Sequence, residues 1–243
     1  MEAGENLSSR FGAAYVAVEE RRRLIRETFA GVAPRYDLMN DLMSMGIHRI
    51  WKSALVARAS ARSNDIVLDL GGGTGDIAFA LAASGAHVIV ADPSFQMMGQ
   101  GRMRQGQAEI GWVGAEAENL PFATASIDLI VISFAIRNAT TIDRALSEIA
   151  RVLKSGGRFH CLEFSTPQSW LAPFYGLWSR SVIPLLGAVV SRQRRAYHYL
   201  VESIRQFPDQ DEFASMIASH GMTSVSWQNL SFGIAALHSA RKP

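Results

Sequence analysis

Between Ile66 and Asp92 the chain sets a short apolar run, a glycine-rich loop, a helical stretch, a second apolar run and a terminal acid in an order that can hold a ligand. The loop reads Asp69-Leu70-Gly71-Gly72-Gly73-Thr74-Gly75-Asp76. Glycine at 71, 73 and 75 lets the backbone turn sharply and approach a ligand closely, since no Cβ intervenes and positive φ costs little. The spacing is GxGxG, whereas a dinucleotide's pyrophosphate requires GxGxxG at a helix N-terminus. A nucleoside without phosphates fits this loop better, its ribose and an attached amino-acid moiety meeting backbone amides and carbonyls. Asp92 follows Gly75 by 17 residues and can accept hydrogen bonds from both ribose hydroxyls. Its competing use is to cap the next helix, a role that Ser94 also suits.

Two later segments carry side chains of the same kind. Glu116-Ala117-Glu118-Asn119-Leu120-Pro121-Phe122 could place Glu116 to accept from an adenine amino group, or be a polar loop. Ser133 and Phe134 close a strong apolar run and so face the same cleft, although Ser133 could equally be a satisfied strand-end hydroxyl.

These residues need a scaffold that brings strand ends together. IVLDL (66–70), HVIVAD (87–92), a short run near Trp112 to Gly114, IDLIVISF (127–134) and RFHCLEF (158–164) read as buried parallel strands. Helical spacing fills the gaps over Ile77 to Ala83, from about Phe95, and from Asp143 to Leu153, where Lys154-Ser155-Gly156-Gly157 is a stop signal. Asp209 to Ser219 predicts a capped helix ended by Gly221, and SVSWQNL with GIAALHSA a closing antiparallel hairpin. Strands alternating with helices predict an α/β fold with a mostly parallel sheet, helices on both faces, and ligands beyond the carboxyl ends of the strands. Ahead of this core, Ser9 to Phe29 suits one or two amphipathic helices, and Tyr36 to Arg58 two helices broken at Gly46. The region Trp170 to Leu200 interrupts the alternation and reads as an inserted, unusually apolar helical pair. One domain over 1–243 is expected, with a helical cap (1–60), a cofactor-binding core (63–166), a helical insertion (167–205) and a final helix and hairpin (206–243).

Composition narrows the surroundings. With 48% hydrophobic and 19% charged residues the chain is neither disordered nor fibrous, and a net charge of +2 gives no expectation of nucleic acid. Cys161 stands alone, which fits a reducing cytoplasmic compartment and offers no paired-cysteine metal motif. No uninterrupted apolar stretch reaches membrane-spanning length, so any membrane contact is expected to be peripheral. Arg21, Arg22, Arg23 and Arg26 form one basic cluster and Arg192, Arg194 and Arg195 another; each is either a solvated helix face or a contact for an anionic membrane surface.

The blocks YDLMNDLMSMGIHRIWK, VLDLGGGTGD, AENLPF, ISFAIRN, RVLKSGGRFHCLEFS, AYHYLVESIRQFPDQ and GIAALH closely resemble the ubiquinone/menaquinone biosynthesis C-methyltransferase family, over roughly Phe29 to His238. The resemblance implies the class I, Rossmann-like methyltransferase fold: a seven-stranded sheet with an antiparallel final strand, and a helical insertion near 168–200. It implies S-adenosylmethionine as cofactor, contacted by Asp69, Gly71, Gly73, Thr74, Gly75, Asp92, the Glu116-Ala117 pair and Ser133. The family usually carries Asn or a similar residue at the position of Glu116; a carboxylate there is still a good acceptor.

The reaction so implied moves a methyl group to a ring carbon of a polyprenylated benzoquinol or naphthoquinol. No metal is needed, because the sulfonium carbon is already electrophilic, but the ring must be made electron-rich by deprotonating or polarising a hydroxyl. Arg137 and Asn138 match the family pattern; an arginine is too weak a base for simple proton abstraction, so Arg137 is assigned electrostatic stabilisation of a developing phenolate. Tyr36, Asp37, Asn40 and Tyr197 are candidates to line the quinol pocket, each with a structural alternative as a cap or a carbonyl partner. His48 is read as a core or capping histidine. The apolar stretch Trp170 to Leu186 suits a greasy substrate, burial against the sheet, or a homodimer interface. Where the family has a small residue and an acid, this chain has Ser191-Arg192-Gln193-Arg194-Arg195. That departure leaves open a paralogue acting on another lipophilic phenol, a lipid amine, a secondary metabolite or an anionic substrate. An NAD-dependent oxidoreductase and a non-catalytic assembly protein are the rivals from other classes.

Overall fold

A computed structural model describes residues 10–11, 14–32, 41, 44–106, 108–171, 173, 176 and 194–243. Two short strands, β1 (Arg10–Phe11) and β2 (Ala14–Tyr15), pair antiparallel ahead of helix α1 (Val18–Val32). The helical reading of Ser9 to Phe29 is therefore corrected at 10–11 and 14–15, which pair as short antiparallel strands ahead of α1. Helix α2 (Ile47–Ala59) begins behind Gly46, whose φ of 77° supplies the break expected there.

The core alternates as its apolar runs predict. Strand β3 (Ile66–Leu70) leads into α3 (Asp76–Ala82), β4 (His87–Ala91) into α4 (Phe95–Arg104), and β5 (Ile110–Val113) into β6 (Ile127–Ser133). A single helical turn, Ile136–Asn138, then precedes α5 (Ile142–Val152) and β7 (Leu153–Phe164). After α6 (Arg194–Gln206) and α7 (Gln210–Ser219), the chain ends in β8 (Thr223–Leu230) and β9 (Ala235–Arg241). A capping box starts α7: the Asp209 side chain accepts from the Glu212 amide, and Glu212 reaches back to the Asp209 amide. Helix α5 stops where expected, but Lys154 to Gly157 is not a loop. It is the irregular start of β7, where Gly156 at φ 75° lets the backbone exchange hydrogen bonds with Lys242.

The sheet order is β5-β4-β3-β6-β7-β9-β8, parallel from β5 to β7, with β9 antiparallel to both neighbours. Because side chains alternate along a strand, each strand serves two cores. Leu68, Ile130 and Ile132 pack with Leu146 and Ile149 of α5 and Phe213 of α7. Val67, Val88, Leu129 and Val131 pack on the other face with Trp51 and Leu55 of α2 and Leu81 of α3. Burial on both faces explains why β3 and β6 read as continuous apolar runs. Strand order reverses at β3, so the loops leaving β3 and β6 diverge to opposite faces and open a crevice between them. Among the described residues, no helix is long and apolar enough to cross a membrane.

Candidate active site

The crevice at the carboxyl ends of β3, β4 and β6 is lined on one side by the glycine loop and Asp92 and on the other by Ser133 to Ile136 and Asn138 to Thr140. The two sides touch at one point. Gly71, at φ 69°, donates to the Ala91 carbonyl at 2.7 Å, and a Cβ on it would lie 2.4 Å from that of Ala135. Gly75, at φ 81°, would bring a Cβ to 2.8 Å from the Trp112 ring. Glycine is required at both by conformation and by space.

Two acids face this loop from below. Asp92 is 8% exposed; one oxygen accepts from the Gly73 amide at 3.0 Å and the other from the Ser94 amide at 2.7 Å. The helix cap itself is Ser94, whose hydroxyl accepts from the Met97 amide. Burial, opposed by those two amides, pushes the Asp92 carboxyl up to about 6. Asp69 is fully buried, with one oxygen accepting from the Ala78 amide at 3.0 Å and the other without a partner. Its carboxyl is pushed up to about 7, first by burial. The Ser133 hydroxyl is likewise buried and unpartnered. Orphaned polar atoms in a cavity wall cost free energy unless a ligand completes them, so these residues fit a polar nucleoside ligand.

Helix α1 closes the cavity from above. The Arg22 Nε donates to the Thr140 hydroxyl at 3.1 Å and lies 3.6 Å from Glu116, while Arg26 lies 3.7 Å from Glu116. Glu116 thus meets two cations, an arrangement that its place in a polar loop did not foretell. Thr74 and Ala117 also line the cavity, and the Thr74 carbonyl accepts from Arg104 at 3.0 Å.

The wall after β6 is built on buried charge. Phe134 holds φ at 57°, a conformation costly for a residue with a Cβ and typical of functional turns. Behind it, Arg137 is 4% exposed, donating to Glu163 at 2.7 Å and to the Phe134 carbonyl at 2.6 Å, with its guanidinium over the Phe164 ring. Burial raises the Glu163 carboxyl above its ordinary value, against the pull of Arg137 and two backbone amides. Asn138 lines the cavity, and its Oδ1 accepts from the Tyr199 hydroxyl at 3.0 Å. Arg21 reaches in from α1, 1% exposed, and donates to the carbonyls of Ala139 (2.9 Å), Arg137 (3.4 Å) and Asn138 (3.5 Å).

The structure therefore gathers Asp69, Gly71, Gly73, Thr74, Asp92, Glu116, Ala117, Ser133 and Asn138 around one cavity, with Gly75 just behind the loop. Arg137 lies behind that wall rather than on it. Tyr36, Asp37 and Asn40 fall outside the described residues, as does most of Trp170 to Arg192; Tyr197 falls in α6, its side chain outside the described set. Arg21 belongs to neither reading of the first basic cluster, whereas Arg23 is solvated and pairs with Glu20 and Glu27. His48 is buried, with its Nδ1 2.8 Å from the Ser44 hydroxyl, the core position of the two expected for it; the helix that carries it has no side-chain cap. Sequence reasoning missed Arg21, Glu163 and Tyr199. A faint signal existed for Glu163, a lone acid inside an otherwise buried strand.

Sheet order, crevice and glycine loop together define a class I, S-adenosylmethionine-dependent methyltransferase. Residues 15–242 match the ubiE/COQ5 methyltransferase family, and the chain belongs to it. It is 56% identical to the ubiquinone/menaquinone biosynthesis C-methyltransferase UbiE of Rubrivivax gelatinosus, over 96% of this chain and 92% of that protein. Identity to the UbiE of Paracoccus denitrificans is 48%, over the full length of both. Among solved structures, the fold matches an S-adenosylmethionine-dependent methyltransferase of Thermotoga maritima with a TM-score of 0.66 at 18% identity, covering 89% of this chain and 99% of that one.

Proposed function

We propose that this chain methylates a ring carbon of a polyprenylated benzoquinol or naphthoquinol; its relatives are named ubiquinone/menaquinone biosynthesis C-methyltransferases. The observation that carries the reading is the two-walled crevice, with a nucleoside-type site on one side and a polar, cation-backed wall ending in Asn138 on the other. S-adenosylmethionine, when bound, supplies an electrophilic methyl carbon on its sulfonium.

Asp92 accepts from the ribose hydroxyls with the lone pairs its backbone donors leave free. Asp69 and Ser133 gain partners for their orphaned oxygens, Glu116 accepts from the adenine amino group, and Gly71, Gly73, Thr74, Gly75 and Ala117 shape the backbone around the ligand. On the acceptor side, the ring hydroxyl loses its proton to leave a phenolate, whose negative charge flows from oxygen into the ring as the carbon attacks, and Asn138, which lines the cavity, donates to that oxygen and so favours the deprotonated ring. Arg137 acts from behind this wall. Its charge is largely compensated by Glu163, so its contribution is to hold the turn and bias the local potential, not to take the proton. Tyr36, Asp37, Asn40 and Tyr197 remain our candidates for the ring's other contacts. A prenylated substrate brings the protein to the inner face of a membrane peripherally.

The test incubates the purified protein with methyl-labelled S-adenosylmethionine and a membrane lipid extract, and identifies the product by mass. Label on a quinone ring carbon is expected; label on another phenol or a lipid amine would overturn the substrate assignment.

A further inference from the structure

The amide of Asn138 can face the cavity with either its oxygen or its nitrogen, and only the nitrogen carries hydrogen-bond donors. Which one it shows decides whether this wall stabilises negative charge or repels it. Tyr199 supplies the choice. Its hydroxyl meets Asn138 Oδ1 at 3.0 Å, and its ring is 4% exposed, packed with Leu24 and Ile25 of α1. Burial raises the pKa of this hydroxyl, with Arg21 and Arg137 pulling it down and Glu163 pushing it up. An amide oxygen can only accept, so in this contact the hydroxyl is the donor and its proton lies on the Oδ1 side. The Asn138 backbone is fixed as well, its amide donating to the Ala135 carbonyl at 3.0 Å and its carbonyl accepting from Arg21.

We propose that Tyr199 is a positioning residue: by donating to Asn138 Oδ1 it pins the amide so that the Nδ2 donors face the oxygen of the methyl-accepting ring. The inference rests on the methyl-transfer reading above. It makes α6 part of the active site through a residue two positions beyond Tyr197, and it ties that residue to the cap helix through Leu24, Ile25 and Arg21.

Tyr199→Phe keeps the ring packing and removes only the hydroxyl. It should lower kcat about tenfold, roughly one neutral hydrogen bond, while the KM for acceptor and the calorimetric Kd for S-adenosylmethionine hold. In an Asn138→Ala background the same change should cost nothing further; losses that multiply would mean Tyr199 acts elsewhere and would overturn the proposal. Asn138→Asp retains an acceptor for Tyr199 but removes both donors, and should lose about a hundredfold in kcat with cofactor affinity kept. Undiminished turnover in that variant also overturns it, even if Tyr199→Phe folds poorly. A readout independent of the acceptor is the pair of Asn138 side-chain amide proton signals in the protein bound to S-adenosylmethionine. They should be resolved in the wild type and shifted and broadened in Tyr199→Phe, and unchanged signals refute the pinning. A wild type that methylates no quinol would sink the functional reading, while the amide signals decide the pinning by themselves.

Discussion

On the side of the crevice that we propose holds the cofactor, the groups that shape the cavity are packed between Asp69 and Asp92 and are held by backbone: glycines at positive φ and carboxylates accepting from amides 2, 9 and 19 residues away. On the proposed acceptor side, the turn 136–138 is held by side chains from three distant segments. Arg21 arrives from α1, Glu163 from the end of β7 and Tyr199 from α6. The first wall is rigid because its own sequence leaves it few conformations. The second is rigid only when the rest of the fold has delivered its charges. A methyltransferase of this kind can therefore keep its cofactor wall constant and alter its acceptor wall by substitutions far away in sequence.

If that contrast is right, the acceptor wall should break most severely when one buried charge loses its partner. Glu163→Ala strands Arg137 in the interior and should cost about 3–5 kcal/mol in chemical denaturation. Turnover should fall while the surviving folded protein still binds S-adenosylmethionine; equal loss of cofactor affinity would erase the distinction between the walls. Gly71→Ala attacks the other wall, adding a Cβ against Ala135 at a φ that alanine resists. Overpacking and the strained backbone together predict about 2–4 kcal/mol, read as a drop in melting temperature and in cofactor binding together.

Asp92 sharpens the comparison through pH. Its carboxyl sits near 6 when folded, against 3.8 ordinarily, so the stability linked to it is complete below the ordinary value and is lost as pH rises through about 6. The melting temperature of the ligand-free wild type, measured relative to Asp92→Asn, should accordingly fall from pH 4 to pH 7. Cofactor affinity should run the opposite way, weakening below pH 6 as the carboxylate takes up its proton, and Asp92→Asn should bind about tenfold more weakly with that pH dependence gone. Parallel pH trends in the two measurements would disprove the carboxylate's role. The smallest effect belongs to Arg23→Ala, which removes two exposed ion pairs on α1 and should change stability by less than about 0.5 kcal/mol. Its neighbour Arg21, substituted the same way, should lose about 2 kcal/mol by leaving three loop carbonyls without their donor.

The sequence by itself determined the alternating core, the crevice at the strand ends and the glycine loop, since each depends on local constraints that leave a local mark. A buried parallel strand must be apolar throughout, a turn at positive φ must be glycine, and a helix start takes a capping residue such as Ser94 or Asp209. The family resemblance pointed to α6 through Tyr197, whose side chain lies outside the described residues, and did not single out Tyr199, since nothing in the string AYHYL tells one tyrosine from the next. Only the tertiary structure decided that Tyr199 meets Asn138, that Arg137 lies behind the cavity wall on Glu163, and that Arg21 is buried while Arg23 is solvated. The physical reason is that pairing between buried charges is settled by proximity across the fold. An arginine destined for the interior carries the same side chain as one left in water, and the chain reveals the difference only when distant segments are brought within hydrogen-bonding distance.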